Sequence, residues 1–282
     1  MEIRTDLALE AKALWERSAE RTTRLEGVAA RERTADGVKI TEVEILDEKG
    51  AQALGKPVGS YITLEPKRNG QTAAELSGVL AEELRRLMGQ ARGERVLVVG
   101  LGNRAVTPDA IGPETVDRLF LTRHLIEHLP KQFGACRSVS ALCTGVLATT
   151  GMESLELLRG AVSHVQPDCV IAVDALAAGS AERLCSTVQL SDSGIVPGSG
   201  VGNRRAALDR ASLGVPVFCL GVPTVMDASS LRPSPENEPL IVTPRDIDAK
   251  VRFFGRVLAG GLNLALHDGF SYEDFAQFVP NT

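Results

Sequence analysis

The stretch Arg95-Val-Leu-Val-Val-Gly-Leu-Gly-Asn-Arg-Ala-Val-Thr-Pro-Asp-Ala-Ile-Gly112 decides the fold of this 282-residue chain. Its apolar first half predicts a buried β-strand over 95–99, and its second half predicts a loop that carries Asp109. A second apolar run, Cys169-Val-Ile-Ala-Val173, predicts another buried strand and leads directly into Asp174. Apolar strands that alternate with helical segments are typical of a parallel sheet covered by helices.

The segments on either side of this stretch follow the same alternation. Helical spacing of apolar residues predicts helices over 72–88, 113–129, 152–165 and 244–267. Further strands are predicted over 138–142, 186–190 and 215–220, and a hairpin-like β element over 38–46 and 60–64. The charged segment 7–35 favours helix. We therefore predict a single α/β domain over 7–282, with a mainly parallel twisted sheet flanked by helices on both faces and an extra N-terminal β element around 38–65.

Composition argues against several classes of protein. The formal net charge is -5 and the pI is near 5.5, so the chain lacks the basic footprint of a nucleic-acid-binding protein. Its five cysteines have no C-x-x-C spacing and predict reduced, buried thiols in a cytoplasmic protein. The N-terminus lacks an apolar leader and no long uncharged apolar run occurs, so we expect neither export nor a membrane span.

The two aspartates that follow apolar strands form the candidate catalytic pair. In an open α/β sheet, ligands bind in the crevice outside the carboxyl ends of the strands. Asp109 and Asp174 are both predicted to lie at that edge, where two carboxylates could do acid–base chemistry. The alternative is that each aspartate caps a helix or closes a turn, which is common for this residue type.

A dinucleotide-binding turn is one alternative for the first strand end. Gly100-Leu-Gly-Asn-Arg-Ala105 fits G-x-G-x-x-A after a strand. However, Pro108 disfavours a helix that opens within the motif, and Pro113 suits a first helical position. The next strand also lacks the acid that would bind a ribose. The sequence therefore disfavours nucleotide binding.

A zinc site is a second alternative. His124-Leu-Ile-Glu-His128 matches H-x-x-E-H, in which two histidines on one helix face could hold zinc while Glu127 acts as the base. The same residues would equally suit a helix end before Pro130, because histidine there interacts favourably with the helix dipole.

The glycine-rich segment Pro197-Gly-Ser-Gly-Val-Gly-Asn-Arg-Arg205 is the candidate substrate-binding loop. Its backbone amides could cradle a phosphate. Its glycines could equally let an extended peptide approach closely, because they carry no side chain. A plain surface loop is the third interpretation. With residues of the first loop, the groove candidates are Gly102, Asn103, Gly198, Gly200, Gly202, Asn203 and Arg204.

Six ordered blocks give the chain a resemblance to a known family, and they span nearly its whole length. They are Arg4-Thr-Asp-Leu-Ala-Leu-Glu-Ala11, the 100–109 loop, Thr150-Gly-Met-Glu153, Val173-Asp-Ala-Leu-Ala177, the 197–205 loop and Gly221-Val-Pro-Thr-Val225. Together they resemble the germination proteases (spore proteases) of endospore-forming bacteria. The strand and the Asp109 loop are more distantly similar to the hydrogenase maturation endopeptidases, which implies a fold of that kind.

The resemblance implies a cytoplasmic endopeptidase of the forespore or spore core that begins the degradation of small acid-soluble spore proteins during germination. It implies an atypical aspartic-type mechanism on Asp109 and Asp174, no cofactor and no metal, and a homotetramer. It also implies a self-processing zymogen in which residues 1–6 are a propeptide and Asp6-Leu7 is the scissile bond. An acid before an apolar residue and alanine is similar to the site cut in the spore proteins. A helix start capped by Thr5 or Asp6 is the alternative for this segment.

Two further hypotheses remain. The first is a metal-dependent hydrolase that holds a divalent ion with the same acids or with His124 and His128, which a chelator would inactivate. The second is a binding module that docks acidic helical proteins through Arg204 and Arg205 and returns them intact.

Overall fold

The structure is a computed structural model that describes residues 4–18, 25–67, 71–202, 205–231, 240–275 and 277–279. Within these ranges the strands are β1 (Val28–Ala35), β2 (Val38–Ile45), β3 (Gly59–Pro66), β4 (Arg95–Leu101), β5 (Ser138–Gly145), β6 (Cys169–Ala178), β7 (Val188–Ser191), β8 (Val217–Asp227) and β9 (Ile241–Val242). The α-helices are α1 (Ala8–Ser18), α2 (Glu48–Leu54), α3 (Ala73–Met88), α4 (Ile111–Val116), α5 (Arg123–His128), α6 (Pro130–Phe133), α7 (Leu147–Thr150), α8 (Ser154–Val165), α9 (Arg210–Leu213), α10 (Ile247–Leu266) and α11 (Tyr272–Phe275).

One mixed sheet organises the domain. Its strand order is β1-β2-β3-β7-β8-β6-β4-β5, with β9 paired to β8. Strands β8, β6, β4 and β5 are mutually parallel, whereas β1, β2, β3 and β7 extend the sheet antiparallel from the edge of β8. The predicted α/β class is therefore confirmed, and the predicted N-terminal β element belongs to the same sheet.

Helices cover both faces of this sheet, as predicted. Along β4, Val96 and Val98 pack into a core beneath α3 and α10. Leu97 and Val99 pack on the opposite face with residues of α8 and α9. A strand that buries alternate residues on both faces must be apolar throughout, which explains its continuous apolar sequence.

Two predicted helices are wrong in extent. In segment 7–35, α1 is the one helix among the described residues 7–18 and 25–35, and the last part of the segment forms β1, which pairs along its whole length with β2. The predicted helix 113–129 is split into α4 and α5. It is interrupted because the Phe120 N–H donates to Asn263 Oδ1 of α10, and the Thr122 N–H donates to the Val139 carbonyl of β5.

The loop after β4 does not have the geometry of a dinucleotide-binding turn, which was one alternative for this part of the sequence. A single-turn 3-10 helix over Thr107–Asp109 follows the loop, and α4 begins at Ile111 rather than inside the G-x-G-x-x-A motif or at Pro113. All five cysteines are free; Cys169, Cys185 and Cys219 are buried as expected, but Cys143 is exposed and Cys136 is half-buried. In the described part of the chain, no helix has the length and apolar character needed to cross a membrane.

Candidate active site

Asp109 is held at the carboxyl end of β4 by its own loop. One of its carboxylate oxygens accepts the Asn103 N–H at 2.8 Å. Gly102 has φ +99°, and a Cβ there would lie 2.1 Å from the Asp109 carbonyl oxygen, so only glycine allows this close approach. From β8, the Thr224 hydroxyl donates to the Pro108 carbonyl at 2.6 Å. These contacts fix the loop against the ends of two strands.

Asp174 lies within β6, three residues before Ala177, and is only 6% exposed. It is paired across the sheet with Gly221 of β8, and Gly221 is paired in turn with Gln189 of β7. Residues paired across adjacent strands point to the same face. Asp174 and Gln189 therefore face the same side, two strand spacings or about 10 Å apart.

The two carboxyl groups interact electrostatically. Burial raises the pKa of Asp174 well above its usual range, and the nearby Asp109 carboxylate raises it further. Burial also raises the pKa of Asp109, whereas the hydrogen bond from the Asn103 N–H opposes that rise. The Asp109 charge thus disfavours ionisation of Asp174, because neighbouring carboxylates do not both ionise at low cost.

The N-terminal segment lies in the same cavity as Asp174. The cavity is lined by Asp6, Asp174 and residues of the 193–200 loop, among others. The Asp6 carboxylate accepts the Ser199 hydroxyl at 2.9 Å and the Ala177 N–H at 2.8 Å. The Asp6 N–H donates to the Ala177 carbonyl at 2.9 Å, so the segment follows the end of β6.

The residues after Asp6 are also enclosed. Leu7 and Ala8 are fully buried, and Glu10 is only 4% exposed. The Glu10 carboxylate accepts the Gly179 N–H at 2.6 Å and the Thr5 hydroxyl at 2.5 Å. The two acids therefore bind backbone N–H groups at and just beyond the end of β6, and the apolar residue and the alanine between them are buried.

The glycine-rich loop contacts this segment. Gly198 and Gly200 line the cavity. A Cβ on Gly200 would lie 2.1 Å from Asp6 Oδ2, and one on Gly202 would lie 2.7 Å from an Arg4 guanidinium nitrogen. Of the other groove candidates, Gly102 and Asn103 contact Asp109 instead. Asn203 and Arg204 lie outside the described residues.

The histidines of the zinc alternative lie elsewhere. His124 and His128 are exposed on α5, which starts beside the amino-terminal half of β5 rather than at the carboxyl ends of the strands. Over the ranges given above, no group of three or more His, Cys, Asp and Glu residues is arranged to hold a metal ion.

Two side chains at this site were not anticipated from the sequence. Lys56 Nζ donates to the Asp6 carbonyl oxygen at 2.9 Å, and Gln189 Nε2 donates to the same oxygen at 3.0 Å. Gln189 carries a weak signal, because it is a polar residue between Val188 and Leu190 in a strand buried on both faces. The sequence gives no indication of Lys56, which follows a short, partly buried helix.

Comparisons with known proteins show which family this chain belongs to. The germination protease family model matches residues 6–235. A germination protease of Caldanaerobacter subterraneus subsp. tengcongensis is 42% identical over 98% of this chain and 98% of its own length. A germination protease of Clostridium perfringens is 36% identical over 98% of this chain and 99% of its own length. A germination protease of a Geobacillus species is 40% identical over 92% of this chain and 70% of its own length.

A solved structure is also similar to this chain. It is the NiFe hydrogenase maturation protease HycI from Thermococcus kodakarensis KOD1, with a TM-score of 0.39 and 19% identity, and the match covers 64% of this chain and 98% of that one. The extent of the family match and the near full-length relatives lead to one conclusion: this chain belongs to the germination protease family and is an endopeptidase.

Proposed function

We propose that this endopeptidase is made as a zymogen that cuts its own Asp6-Leu7 bond, and that it then cuts small acid-soluble spore proteins at similar sequences in the spore core. The observation that carries the proposal is the position of the Asp6-Leu7 bond, whose Asp6 residue lines the same cavity as the buried Asp174. The contacts of Asp6 in this cavity support a substrate-like role for the segment. The predicted tetramer is part of the same resemblance and stays a prediction.

The proposed chemistry uses the two aspartates in unequal roles. Each aspartate accepts one backbone N–H, but Asp109 is the more exposed carboxylate, so it acts as the base toward water. The water oxygen adds to the Asp6 carbonyl carbon as Asp109 takes a proton. Asp174 retains its proton because of burial and gives it to the Leu7 nitrogen as the C–N bond breaks. The products are a carboxyl group on Asp6 and a free amine on Leu7.

The proposed substrate specificity follows from the contacts of the N-terminal segment. Ser199 and the Ala177 N–H together bind an acidic side chain before the cut, and fully buried positions accept an apolar residue and an alanine after it. Any protein segment that presents this pattern in an extended stretch leading into a helix would make the same contacts.

The test is self-processing of the full chain in Asp109→Asn and Asp174→Asn variants, with Asp246→Asn as the matched control because Asp246 is exposed and lies at the start of α10. Intact mass and N-terminal sequencing should show a product that begins at Leu7 in the unaltered and control chains. Both active-site variants should stay uncut while they melt cooperatively. The reaction should proceed unchanged in EDTA; processing by either variant, or loss in EDTA restored by zinc, would refute the proposed mechanism.

A further inference from the structure

The carbonyl group of the proposed scissile bond is held by two side chains. Lys56 Nζ and Gln189 Nε2 both donate to the Asp6 oxygen, at 2.9 Å and 3.0 Å. No other backbone carbonyl in the segment has two such donors among the contacts described. This oxygen is the atom that becomes negatively charged when water adds to the carbonyl carbon.

Gln189 also fixes the segment on the far side of the bond. Its Oε1 accepts the Ala8 N–H at 2.8 Å. Because Ala8 can only donate through that group, the Gln189 amide must present its NH₂ to Asp6, which sets its orientation. One side chain thus contacts the backbone both before and after the Asp6-Leu7 bond. Its own place is set by β7, between β3 and β8.

Lys56 is held by the end of α2. Gly55 ends this helix with a left-handed backbone, and the Lys56 N–H donates to the Ala51 carbonyl at 3.2 Å. Its Nζ reaches the Thr5 carbonyl as well, at 3.4 Å. Burial lowers the pKa of Lys56, and the charges of Asp6 and Glu10 act in the opposite direction. A cation with little water around it interacts more strongly with a developing negative charge than one in bulk solvent.

We infer that Lys56 and Gln189 form the oxyanion-binding site of this peptidase. The inference rests on the proposed function, because it assigns a role at the bond that the proposal says is cut. As water adds to the carbonyl carbon, the C=O electron pair moves onto oxygen, and the ammonium and amide donors bind that oxyanion. When the intermediate collapses, the pair returns, the C–N bond breaks and the Leu7 nitrogen leaves with a proton. Preorganised donors of this kind stabilise the transition state more than the ground state.

The expected size of the effect follows from other acyl-transfer sites. Removal of a single oxyanion donor lowers the turnover rate by about 100-fold to 1,000-fold. Lys56→Met removes the cation at similar side-chain volume. Gln189→Glu keeps an oxygen for the Ala8 N–H and replaces the donor to Asp6 with an acceptor. Both substitutions should therefore slow processing by at least about 100-fold.

The experiment measures the first-order appearance of the product that begins at Leu7 in the full chain, by intact mass over time. Lys56→Met and Gln189→Glu are compared with Lys49→Met, a matched control on α2 whose side chain is 76% exposed. Lys56→Arg tests rescue, since it restores a donor cation. Hydrogen exchange at the amides of Leu7 to Ala11 reports whether the segment is still docked.

The expected result is a slow rate with unchanged exchange protection in Lys56→Met and Gln189→Glu, a normal rate in Lys49→Met and partial recovery in Lys56→Arg. A normal rate in both test variants, with the segment docked, would overturn the oxyanion assignment. A slow rate with lost protection would overturn it too, because the residues would then only dock the segment. If Lys56→Met does not fold, the processing rates of Gln189→Glu and Lys56→Arg still test the oxyanion assignment. If the unaltered chain never yields the Leu7 product, the proposed function itself fails.

Discussion

Gly200→Ala should displace the acidic side chain of the N-terminal segment from its binding position. Gly200 lies in the 3-10 turn Ser199–Val201, where its backbone is compatible with alanine. The added Cβ would lie 2.1 Å from Asp6 Oδ2 and 2.5 Å from Ala177 Cβ, whereas ordinary contact begins at 3.4 Å. The Asp6 carboxylate must therefore withdraw by more than an ångström. That movement breaks its hydrogen bonds with the Ser199 hydroxyl and the Ala177 N–H.

The size of the loss follows from these two bonds. Hydrogen bonds to a charged group contribute about 1.5–3 kcal/mol each. We take about 3 kcal/mol for the pair, at the lower end of the range, because the released carboxylate regains contact with water. Every 1.4 kcal/mol is tenfold, so the docked, cleavable state becomes rarer by about 100-fold. Self-processing should slow by the same factor.

The assay is again the first-order release of the Leu7 product, together with a thermal melt. Gly160→Ala is the matched control, because Gly160 lies in α8 and an added Cβ there meets nothing within 4 Å. The control should process normally, and its helix should be stabilised by up to about 1 kcal/mol. A Gly200→Ala chain that is processed within about threefold of the normal rate would refute the assignment of this loop to the acidic side chain.

Two further predictions concern stability and pH. Asp168 accepts hydrogen bonds from the Arg95 guanidinium and from the N–H groups of Glu94 and Arg95, and these bonds lower its pKa to about 2. Asp168→Asn should therefore reduce the unfolding free energy above pH 4, and the difference from the unaltered chain should vanish as pH falls through 2. Urea titrations at several pH values would show whether the difference closes in acid. Burial lowers the pKa of His267 to about 4, so the folded state should lose about 3 kcal/mol as pH falls from 6.5 to 4, where only the unfolded chain takes up the proton. His267→Gln should flatten that slope, and an unchanged slope would contradict the burial argument.

The parallel half of the sheet could be predicted because its signals are local. Strand β4 after Arg95 and the first five residues of β6 are apolar, so local sequence indicates both strands and the aspartates beyond these runs, although β6 continues past Asp174 to Ala178. Helix α3 precedes β4 and helix α8 precedes β6; both have clear apolar periodicity and were predicted to within a few residues. Local patterns suffice where each element buries a continuous face.

The antiparallel half was harder because its patterns depend on distant neighbours. In β2, Val38 and Ile40 face one core, whereas Val43 and Ile45 face another beneath α1 and α2. The sequence shows this as a slip of the alternation, but the register with β1 and β3 is continuous. The strand buries opposite faces at its two ends. Similarly, β1 is charged because it is an edge strand, and its helix-favouring composition was overridden by pairing.

The residues of the candidate site also divide into those that local sequence predicts and those that depend on distant parts of the chain. Asp109 follows the apolar strand β4 and Asp174 follows the apolar run 169–173 inside β6, so both could be singled out from local sequence alone. Lys56 and Gln189 reach Asp6 across sequence separations of 50 and 183 residues, and such contacts leave no local pattern. What places Gln189 at the site is the strand order, because β7 and β6 lie on opposite sides of β8.

Gly221 of β8 links the acid and the amide of the site across the sheet. It is paired with Gln189 on one side and with Asp174 on the other, so one row of the sheet carries a carboxylic acid, a glycine and an amide on the same face. A side chain at the central position would collide with Leu176, which leans over it at 2.5 Å from the position of a Cβ. Glycine therefore permits the chain packing that leaves the acid and the amide facing the cavity. The order β7-β8-β6 and the register at Gly221 together bring Gln189 and Asp174 onto one face, and neither the order nor the register can be derived from the sequence of a single strand.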